Sequence, residues 1–321
     1  MKSIKAFFRL IRWRNLLIVV ATQWFIWSCV LLPLYIGSYA PVFLDAARFL
    51  LLSGSTVLVA AAGYIINDYF DVKIDLINRP EKVIIEKQIS RRMAIFWHSL
   101  FNAAGFLLGL ALARSLHDYY LIFIQLGTTI LLWFYATSFK RQFVTGNLVV
   151  ALLTALTILM IPLYEPSLRK YALSEPFIFL HEKKLVNPLA VIAVYGYFAF
   201  MLTWMREVVK DMEDFKGDAE DNCVTMPIKI GLLASSRVVI GLGIFTIIPL
   251  MMAAVRLLSG KWCWMSVYIS IALIVPLTLV ITKLPKKATV KHYAAISKQL
   301  KLIMLAGILS LLLYNFLQYI F

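Results

Sequence analysis

The sequence has few charged residues, which excludes a soluble domain, and few cysteines, which excludes a disulfide-rich scaffold. Charged side chains make up 15% of the 321 residues and hydrophobic side chains 61%, with a mean hydropathy of +0.82. Such a chain is too apolar for a water-soluble domain of this length, so a lipid bilayer must be its solvent. The three cysteines have neither the paired spacing of a metal site nor the pattern of a disulfide framework.

Sequence motifs for nucleotide cofactors are also absent. The chain contains no Walker loop, no dinucleotide fingerprint and no nucleophile elbow, and its four histidines show no metal-ligand spacing.

The net charge of +15 could indicate nucleic-acid binding. The basic residues, however, flank apolar runs instead of forming a continuous basic surface. We therefore expect anionic membrane lipids and a phosphorylated substrate as partners, and no nucleic acid.

Long apolar runs occur along the whole chain and predict an all-α, polytopic membrane protein with nine transmembrane helices. No separate soluble domain or long linker interrupts them, so residues 1–321 are interpreted as one membrane domain. The first run is too long for a signal peptide and lacks a cleavage site, and we interpret it as a retained helix. The predicted spans are residues 16–37, 49–66, 93–113, 119–136, 147–164, 188–205, 234–255, 262–282 and 300–320.

The distribution of lysine and arginine predicts the orientation. Short loops rich in these residues stay on the cytoplasmic side of a membrane. With the N-terminus inside, 24 of the 32 basic residues lie on the inner side and 8 on the outer side. We therefore expect a cytoplasmic N-terminus, an outer C-terminus and a location in the cell membrane.

Acidic residues are scarce and are concentrated in two predicted cytoplasmic loops. Of the 17 aspartates and glutamates, 5 lie in residues 68–86 and 7 in residues 207–221. Three aspartates in the first loop have the spacing i, i+3, i+7, and three in the second repeat it 143 residues later. This offset predicts two four-helix pseudo-repeats in parallel orientation, followed by a ninth helix. The two trios are Asp68, Asp71 and Asp75, and Asp211, Asp214 and Asp218.

Each trio predicts a cation site. On a continuous helix the spacing places three carboxylates on one face, where they repel each other unless a cation neutralises them. Oxygen ligands suit hard cations, and Mg²⁺ typically binds one or two carboxylates, water and substrate phosphates. The alternative is that these aspartates are solvated charges that only terminate helices. Their duplication with identical spacing favours a diphosphate site bridged by Mg²⁺.

The two loops resemble the signature motifs of the UbiA superfamily of intramembrane prenyltransferases. The first reads Asn67-Asp68-Tyr-Phe-Asp71-Val-Lys-Ile-Asp75 and the second reads Asp214-Phe-Lys-Gly-Asp218. The resemblance extends to Asn78-Arg79-Pro80, to residues 135–141 and to Gly146-Asn147. It implies a nine-helix enzyme that transfers the prenyl group of an allylic prenyl diphosphate to a lipophilic acceptor, with Mg²⁺ as cofactor.

The resemblance also implies roles for individual residues. The expected catalytic residues are Asp71, Asp75, Asp214 and Asp218. The expected metal ligands are Asn67, Asp68, Asp71, Asp75, Asp211, Asp214 and Asp218. The expected ligands of the substrate diphosphate are Arg79, Tyr135, Lys140, Arg141, Asn147 and Lys210. Five aromatic residues near predicted cytoplasmic span ends are candidates for contact with an allylic cation or for interfacial anchoring, namely Tyr64, Tyr69, Trp133, Tyr135 and Trp204.

Residues 206–218 indicate the acceptor. This loop is most similar to that of the digeranylgeranylglyceryl phosphate synthases, the members of the superfamily that O-alkylate geranylgeranylglyceryl phosphate in ether-lipid synthesis. Aromatic quinone, tetrapyrrole and haem precursors remain alternative acceptors. A cation-coupled transporter is the alternative from another class, because such carriers also contain internal repeats and acidic residues. Against it, the carboxylates are predicted in cytoplasmic loops and not near the middle of the membrane.

Overall fold

The computed structural model of the protein describes residues 2–35, 42–168, 187–284 and 289–320, which fold into helices joined by short turns. Within these ranges nine helices are long and apolar enough to cross a membrane, which confirms the all-α prediction with nine spans. With helices numbered along the chain, the spans are α2 (Trp13–Leu31), α3 (Ala46–Phe70), α5 (Arg91–Ser115), α6 (Tyr119–Thr137), α7 (Thr145–Leu163), α8 (Pro188–Glu213), α11 (Leu232–Arg256), α12 (Gly260–Lys283) and α13 (Val290–Ile320). The shorter helices include α1 (Lys2–Leu10), α4 (Val72–Asn78), α9 (Phe215–Glu220) and α10 (Met226–Ile230).

Several spans are longer than the apolar runs that predicted them. The sixth span was expected to end at residue 205, and its helix continues to Glu213. The ninth was expected to begin at residue 300, and its helix begins at Val290. A helix satisfies its own backbone hydrogen bonds, so it can continue through polar residues after leaving the apolar layer. Most of the predicted outer loop, residues 165–187, lies outside the described residues.

The spans pack around a central space. Helix α3 packs along α5 and α6, and α7 packs along α8. Helix α2 contacts α3, α7 and α13, and α13 also packs against α8. Small residues permit the closest approaches, as in many membrane helix pairs. The Ser55 hydroxyl of α3, for example, donates to the Gly105 carbonyl of α5 at 2.6 Å. Helices α2, α3, α7, α8 and α13 thereby enclose the space in which the acidic motifs lie.

The middle aspartate of each trio interrupts its helix. Asp71, between α3 and α4, has φ −87° and ψ −2°, and Asp214, between α8 and α9, has φ −91° and ψ 6°. Neither trio therefore lies on one continuous helix. The turn is small, because the Asp71 and Asp214 amides still bond to the carbonyls four residues earlier. Each trio consequently still faces one side, and α4 and α9 turn to pack against each other.

The two motifs thus have the same local backbone conformation, although they lie on different helices. This likeness concerns residues 67–78 and 210–220 only. The organisation into two four-helix pseudo-repeats and the assignment of residues 1–321 to one domain stay predictions.

Candidate active site

A cavity of about 700 Å³ opens between α2, α3, α7, α8 and α13. Charged and polar side chains from both acidic motifs line the part near the ends of α3 and α8, and apolar side chains of the spans line much of the remainder. Twelve of the thirteen site residues predicted from the sequence line this cavity. They are Asn67, Asp68, Asp71, Asp75, Arg79, Tyr135, Lys140, Asn147, Lys210, Asp211, Asp214 and Asp218.

The first motif pairs two of its carboxylates with cations from elsewhere in the chain. Asp68 accepts a hydrogen bond from the Arg12 guanidinium at 2.6 Å. Asp71 forms an ion pair with Lys140 and accepts from the Asn67 amide at 2.6 Å. Hydrogen bonds between charged groups are the stronger ones in proteins. Both carboxylates are thus held in place before any ligand binds.

The second motif has a similar set of partners. Asp211 accepts a hydrogen bond from the Asn147 amide at 2.9 Å. The Arg79 guanidinium lies 2.7 Å from both Asp214 and its neighbour Glu213. Burial raises the pKa of Asp214 against the opposing charge of Arg79. Because Arg79 follows the first motif and Asp214 belongs to the second, this ion pair joins the two motifs.

Asn78 makes a second connection between the motifs. Its amide donates to the Asp214 carbonyl at 3.2 Å and accepts from the Gly217 amide at 3.0 Å. A Cβ atom at Gly217 would overlap the Asn78 side-chain amide. Glycine therefore avoids a steric overlap at this position, where α9 approaches α4.

The Gly217→Ala variant should be less stable by about 1–3 kcal/mol, because the added methyl group displaces the Asn78 amide. Thermal unfolding in detergent measures this loss. In an Asn78→Ala background the same substitution should cost at least about 1 kcal/mol less, since the obstruction is gone. Gly127→Ala is the matched control, because a Cβ there meets no atom within 4 Å. Equal losses at Gly217 and Gly127 would contradict the steric interpretation.

The last aspartate of each trio has no cationic partner. No described side chain donates to the carboxylate of Asp75 or Asp218 at hydrogen-bond distance. Burial, reinforced by the charges of Asp71 and Asp68, raises the pKa of Asp75 to about 6. Burial and the charges of Asp214 and Asp71 raise the pKa of Asp218 to about 7. Both carboxylates thus lack the counter-charge that a bound cation would supply.

The ligand-free protein should lose stability as the pH rises from about 4 to about 7. In this window the folded protein holds protons on Asp75 and Asp218 that an unfolded chain, with an aspartate pKa of about 4, has already released. The melting temperature in detergent, measured without divalent cations, should therefore be higher at pH 5 than at pH 7.5. The Asp75→Asn/Asp218→Asn double variant should show a flatter profile. An unchanged profile would show that these carboxyls do not titrate as the structure indicates.

Lys210 and Tyr135 complete the predicted set on the cavity wall. Lys210 donates to Glu207 at 2.9 Å, and Glu207 also accepts from Arg206 at 2.8 Å. Tyr135 lines the cavity close to these charged groups. Of the other aromatic candidates Tyr64 also lines the cavity, whereas Tyr69, Trp133 and Trp204 do not.

Arg141 is placed differently from the expectation. Its guanidinium lies 2.8 Å from Asp221, its carbonyl accepts from the Val224 amide at 2.8 Å, and the residue does not line the cavity. Neighbours in sequence on the one-turn helix at residues 139–141 point in different directions, so Lys140 faces Asp71 while Arg141 faces away. Its contacts are those of a residue that holds the second acidic loop in place.

Sequence reasoning missed Arg12 and Glu207 as parts of this site. Arg12 was counted only as an orientation signal, and 56 residues separate it from Asp68. It also lies 5.1 Å from the centre of the Tyr64 ring. Glu207 has the acidic character of the second loop but lies outside the repeated spacing. Neither residue carries a local motif that distinguishes it.

The oxygen atoms around the cavity fit a hard cation. The side-chain oxygen of Asn67 is buried without a hydrogen-bond partner, and Asp75 and Asp218 have no cationic partner. Among the described residues no three acidic, histidine or cysteine side chains converge into a complete metal site. Mg²⁺ does not require one, because it is typically bound by one or two carboxylates together with water and substrate phosphates. These donors therefore suit Mg²⁺ shared with a diphosphate.

A known protein family matches most of the chain. The model of the UbiA prenyltransferase family matches residues 25–298. A digeranylgeranylglyceryl phosphate synthase of Saccharolobus solfataricus is 28% identical over 321 residues, which cover 97% of each chain. The corresponding synthase of Pyrococcus abyssi is 36% identical over 191 residues, 60% of each chain.

Solved structures share the fold. A structure described as that of a digeranylgeranylglyceryl phosphate synthase has a TM-score of 0.66 at 22% identity and covers 98% of this chain and 99% of its own. A UbiA homologue from Archaeoglobus fulgidus, solved bound to DMAPP and Mg²⁺, has a TM-score of 0.58 at 14% identity and covers 94% of this chain and 98% of its own. Because the family model matches most of the sequence, this integral membrane protein belongs to the UbiA prenyltransferase family.

Proposed function

We propose that this prenyltransferase transfers a geranylgeranyl group from its diphosphate to geranylgeranylglyceryl phosphate, with Mg²⁺ as cofactor. The observation that carries the proposal is that one cavity joins both acidic motifs to an apolar space within the membrane helices. The part of the cavity that both acidic motifs line, here called its polar mouth, suits a diphosphate. The apolar remainder suits long isoprenoid chains. The similarity to digeranylgeranylglyceryl phosphate synthases over 97% of the chain supports this acceptor over an aromatic one.

The reaction exchanges one carbon–oxygen bond for another. The allylic C–O bond to the diphosphate breaks, a new C–O bond forms to the acceptor hydroxyl, and diphosphate leaves with the hydroxyl proton. Charge develops on the leaving diphosphate, so preorganised positive groups at that position lower the barrier. Lys140, Arg79 and Lys210 line the mouth and carry such charge. Arg79 can make paired hydrogen bonds to phosphate oxygens, whereas the lysines act as point charges.

The carboxylates and Asn67 would hold the metal ion. Bound there, Mg²⁺ supplies positive charge that stabilises the departing diphosphate. Asp71 and Asp214 are aligned by Lys140 and Arg79, while Asp75 and Asp218 have no competing cation. This division leaves each motif with at least one carboxylate free for a metal ion.

The apolar part of the cavity protects a reactive carbon. Breaking the allylic bond leaves cationic character on the prenyl group, which water would capture. The rings of Tyr64 and Tyr135 lie on the cavity wall near the acidic motifs. Aromatic faces attract cations, so these rings are suited to stabilise the prenyl group during transfer.

Purified protein tests the proposal directly. With Mg²⁺ and labelled geranylgeranyl diphosphate, geranylgeranylglyceryl phosphate should give a labelled ether lipid and free diphosphate. Aromatic quinone precursors, tetrapyrroles and haem precursors should give no labelled product. The Asp71→Asn variant is the negative control for non-enzymatic transfer. Labelling of an aromatic acceptor in place of the glyceryl lipid would overturn this assignment.

We further propose that the protein lies in the cell membrane with its N-terminus and both acidic loops in the cytoplasm. Cysteine introduced at Lys73 in a variant without native cysteines should react with an impermeant reagent only from the cytoplasmic side. Cysteine at Lys261 should react only from the outer side. The same topology places Lys184 on the outer side and Lys287 on the inner side. Both residues lie outside the part of the chain that the structure describes. Labelling of Lys73 and Lys261 from the same side would contradict the proposed topology.

A further inference from the structure

Lys301 is a cation inside the ninth span that lacks an acidic partner. It lies on α13, is partly buried and lines the same cavity as the acidic motifs. Its ammonium group donates to the Asn15 amide oxygen at 2.7 Å. None of the ion pairs among the described residues includes it. An ionisable residue that faces a cavity within a membrane span is commonly functional.

Other cations on the cavity wall increase the need of Lys301 for a negative partner. Arg206 and Arg12 line the same cavity as Lys301. Of these, Arg12 is paired with Asp68, and one terminal nitrogen of Arg206 is paired with Glu207. The Nε atom of Arg206 is buried and has no hydrogen-bond partner. The cavity wall between α2, α8 and α13 thus has a surplus of cationic donors.

This surplus favours an anionic ligand. A partly buried positive charge without a counter-ion is costly, and a phosphate with several N–H donors around it removes that cost. The donor diphosphate has its own set of partners at the ends of α3 and α8. Lys301 comes from α13, which contacts α8 and α2 and carries no part of either acidic motif. A second phosphorylated ligand is therefore the better match.

We propose that Lys301, with the free donor of Arg206, forms a subsite for the phosphate of the acceptor lipid. The inference rests on the proposed function, because the acceptor proposed there carries a phosphate and the aromatic alternatives are not proposed to bind through one. The subsite would hold the acceptor by its phosphate and direct its hydroxyl towards the prenyl carbon. It would also select a glyceryl phosphate over an acceptor without phosphate. The headgroup of a membrane phospholipid has the same chemistry, so the test must separate the two sources.

The test combines a change in the protein with a change in the acceptor. Lys301→Met should raise the KM for geranylgeranylglyceryl phosphate by about 10- to 100-fold, the effect of losing one hydrogen bond to a charged group. The KM for geranylgeranyl diphosphate should change by less than about threefold. Geranylgeranylglycerol, which lacks the phosphate, should be a poor acceptor for both proteins to the same degree. Lys301→Arg should restore part of the preference for phosphate.

Lys298→Met is the matched control. Lys298 lies one turn earlier on α13, is exposed and does not line the cavity. The Lys298→Met variant should leave both KM values unchanged. Ligand-induced thermal stabilisation gives a second readout without turnover, since a bound ligand raises the melting temperature. Geranylgeranylglyceryl phosphate should stabilise the wild type and the Lys298→Met variant, and should stabilise Lys301→Met far less.

The outcomes separate the subsite from the proposed function. Ether product from the wild type, with an acceptor KM that Lys301→Met leaves unchanged, would overturn the subsite alone. Transfer only to an aromatic acceptor would overturn the proposed function and, with it, the assignment of this subsite to the acceptor, even if Lys301 still bound the glyceryl phosphate. A Lys301→Met defect that appears only in nanodiscs of anionic phospholipid, and not in neutral ones, would assign Lys301 to the headgroup and overturn the acceptor subsite.

Discussion

Replacing Asp71 or Asp214 by asparagine should lower the rate of prenyl transfer by at least about 100-fold, equivalent to about 3 kcal/mol of transition-state stabilisation. Each substitution removes one negative oxygen from the polar mouth of the cavity and leaves the shape of the side chain nearly unchanged. Single-turnover transfer of labelled prenyl diphosphate measures the chemical step. Size-exclusion chromatography and thermal unfolding of the same samples show whether the variants fold.

The ion pairs determine what these variants do to stability. Repulsion within each trio would by itself predict that loss of one carboxylate stabilises the protein. In the structure Asp71 is paired with Lys140, and Asp214 with Arg79. Removing the Asp71 carboxylate leaves Lys140 without its acidic partner, and removing the Asp214 carboxylate leaves Arg79 paired with Glu213 alone. Both variants should therefore melt at a lower temperature than the wild type.

Asp45→Asn is the matched control for both substitutions. Asp45 precedes α3 at the end remote from the acidic motifs, where its side chain accepts from the Arg48 amide as an N-cap. Asparagine is an equally good N-cap, so stability should be preserved. The transfer rate should change by less than about threefold, which is below about 1 kcal/mol. If Asp45→Asn abolished transfer while Asp71→Asn and Asp214→Asn did not, the active site would lie at the opposite end of the spans.

Removing divalent cations should reduce transfer by more than about 100-fold, and added Mg²⁺ should restore it. The physical reason is the set of oxygen donors that lack a cation, above all Asp75 and Asp218. The assay compares turnover in EDTA with turnover in EDTA already saturated with Mg²⁺, so that the chelator itself is present in both samples. Full turnover in free EDTA would exclude a metal-dependent mechanism.

Metal removal should also weaken binding of the donor diphosphate. Without the cation, the diphosphate meets the uncompensated carboxylates of both motifs. Geranylgeranyl diphosphate should therefore raise the melting temperature strongly with Mg²⁺ and only weakly in EDTA. Equal stabilisation in both conditions would show that the lysine and arginine side chains suffice for binding.

The acidic motifs show how far spacing alone can locate a site. The intervals within residues 68–75 and 211–218 predict that each trio faces one side, and all six aspartates line one cavity. Spacing could not predict that Asp71 and Asp214 interrupt their helices, because the sequence has no proline or glycine at either position. That interruption turns α4 towards α9 and brings Arg79 to Asp214.

The cations were less predictable than the carboxylates. Lysine and arginine near the ends of membrane spans serve orientation as well as binding, so their sequence positions do not distinguish the two roles. Lys140 and Arg141 are adjacent, yet one contacts Asp71 and lines the cavity while the other contacts Asp221 outside it. Lys301 was counted as an orientation signal, and only the packing of α13 against α2 and α8 brings it to the cavity.

The sequence by itself determined the membrane setting, the nine spans and the two sets of carboxylates, because apolar length and side-chain spacing are local properties of a chain. Tertiary structure alone decided which cation meets which carboxylate. The partners of Asp68, Asp71 and Asp214 are separated from them by 56, 69 and 135 residues. Such pairs form only where the spans pack together, and the packing depends on the side-chain contacts of many helices at once.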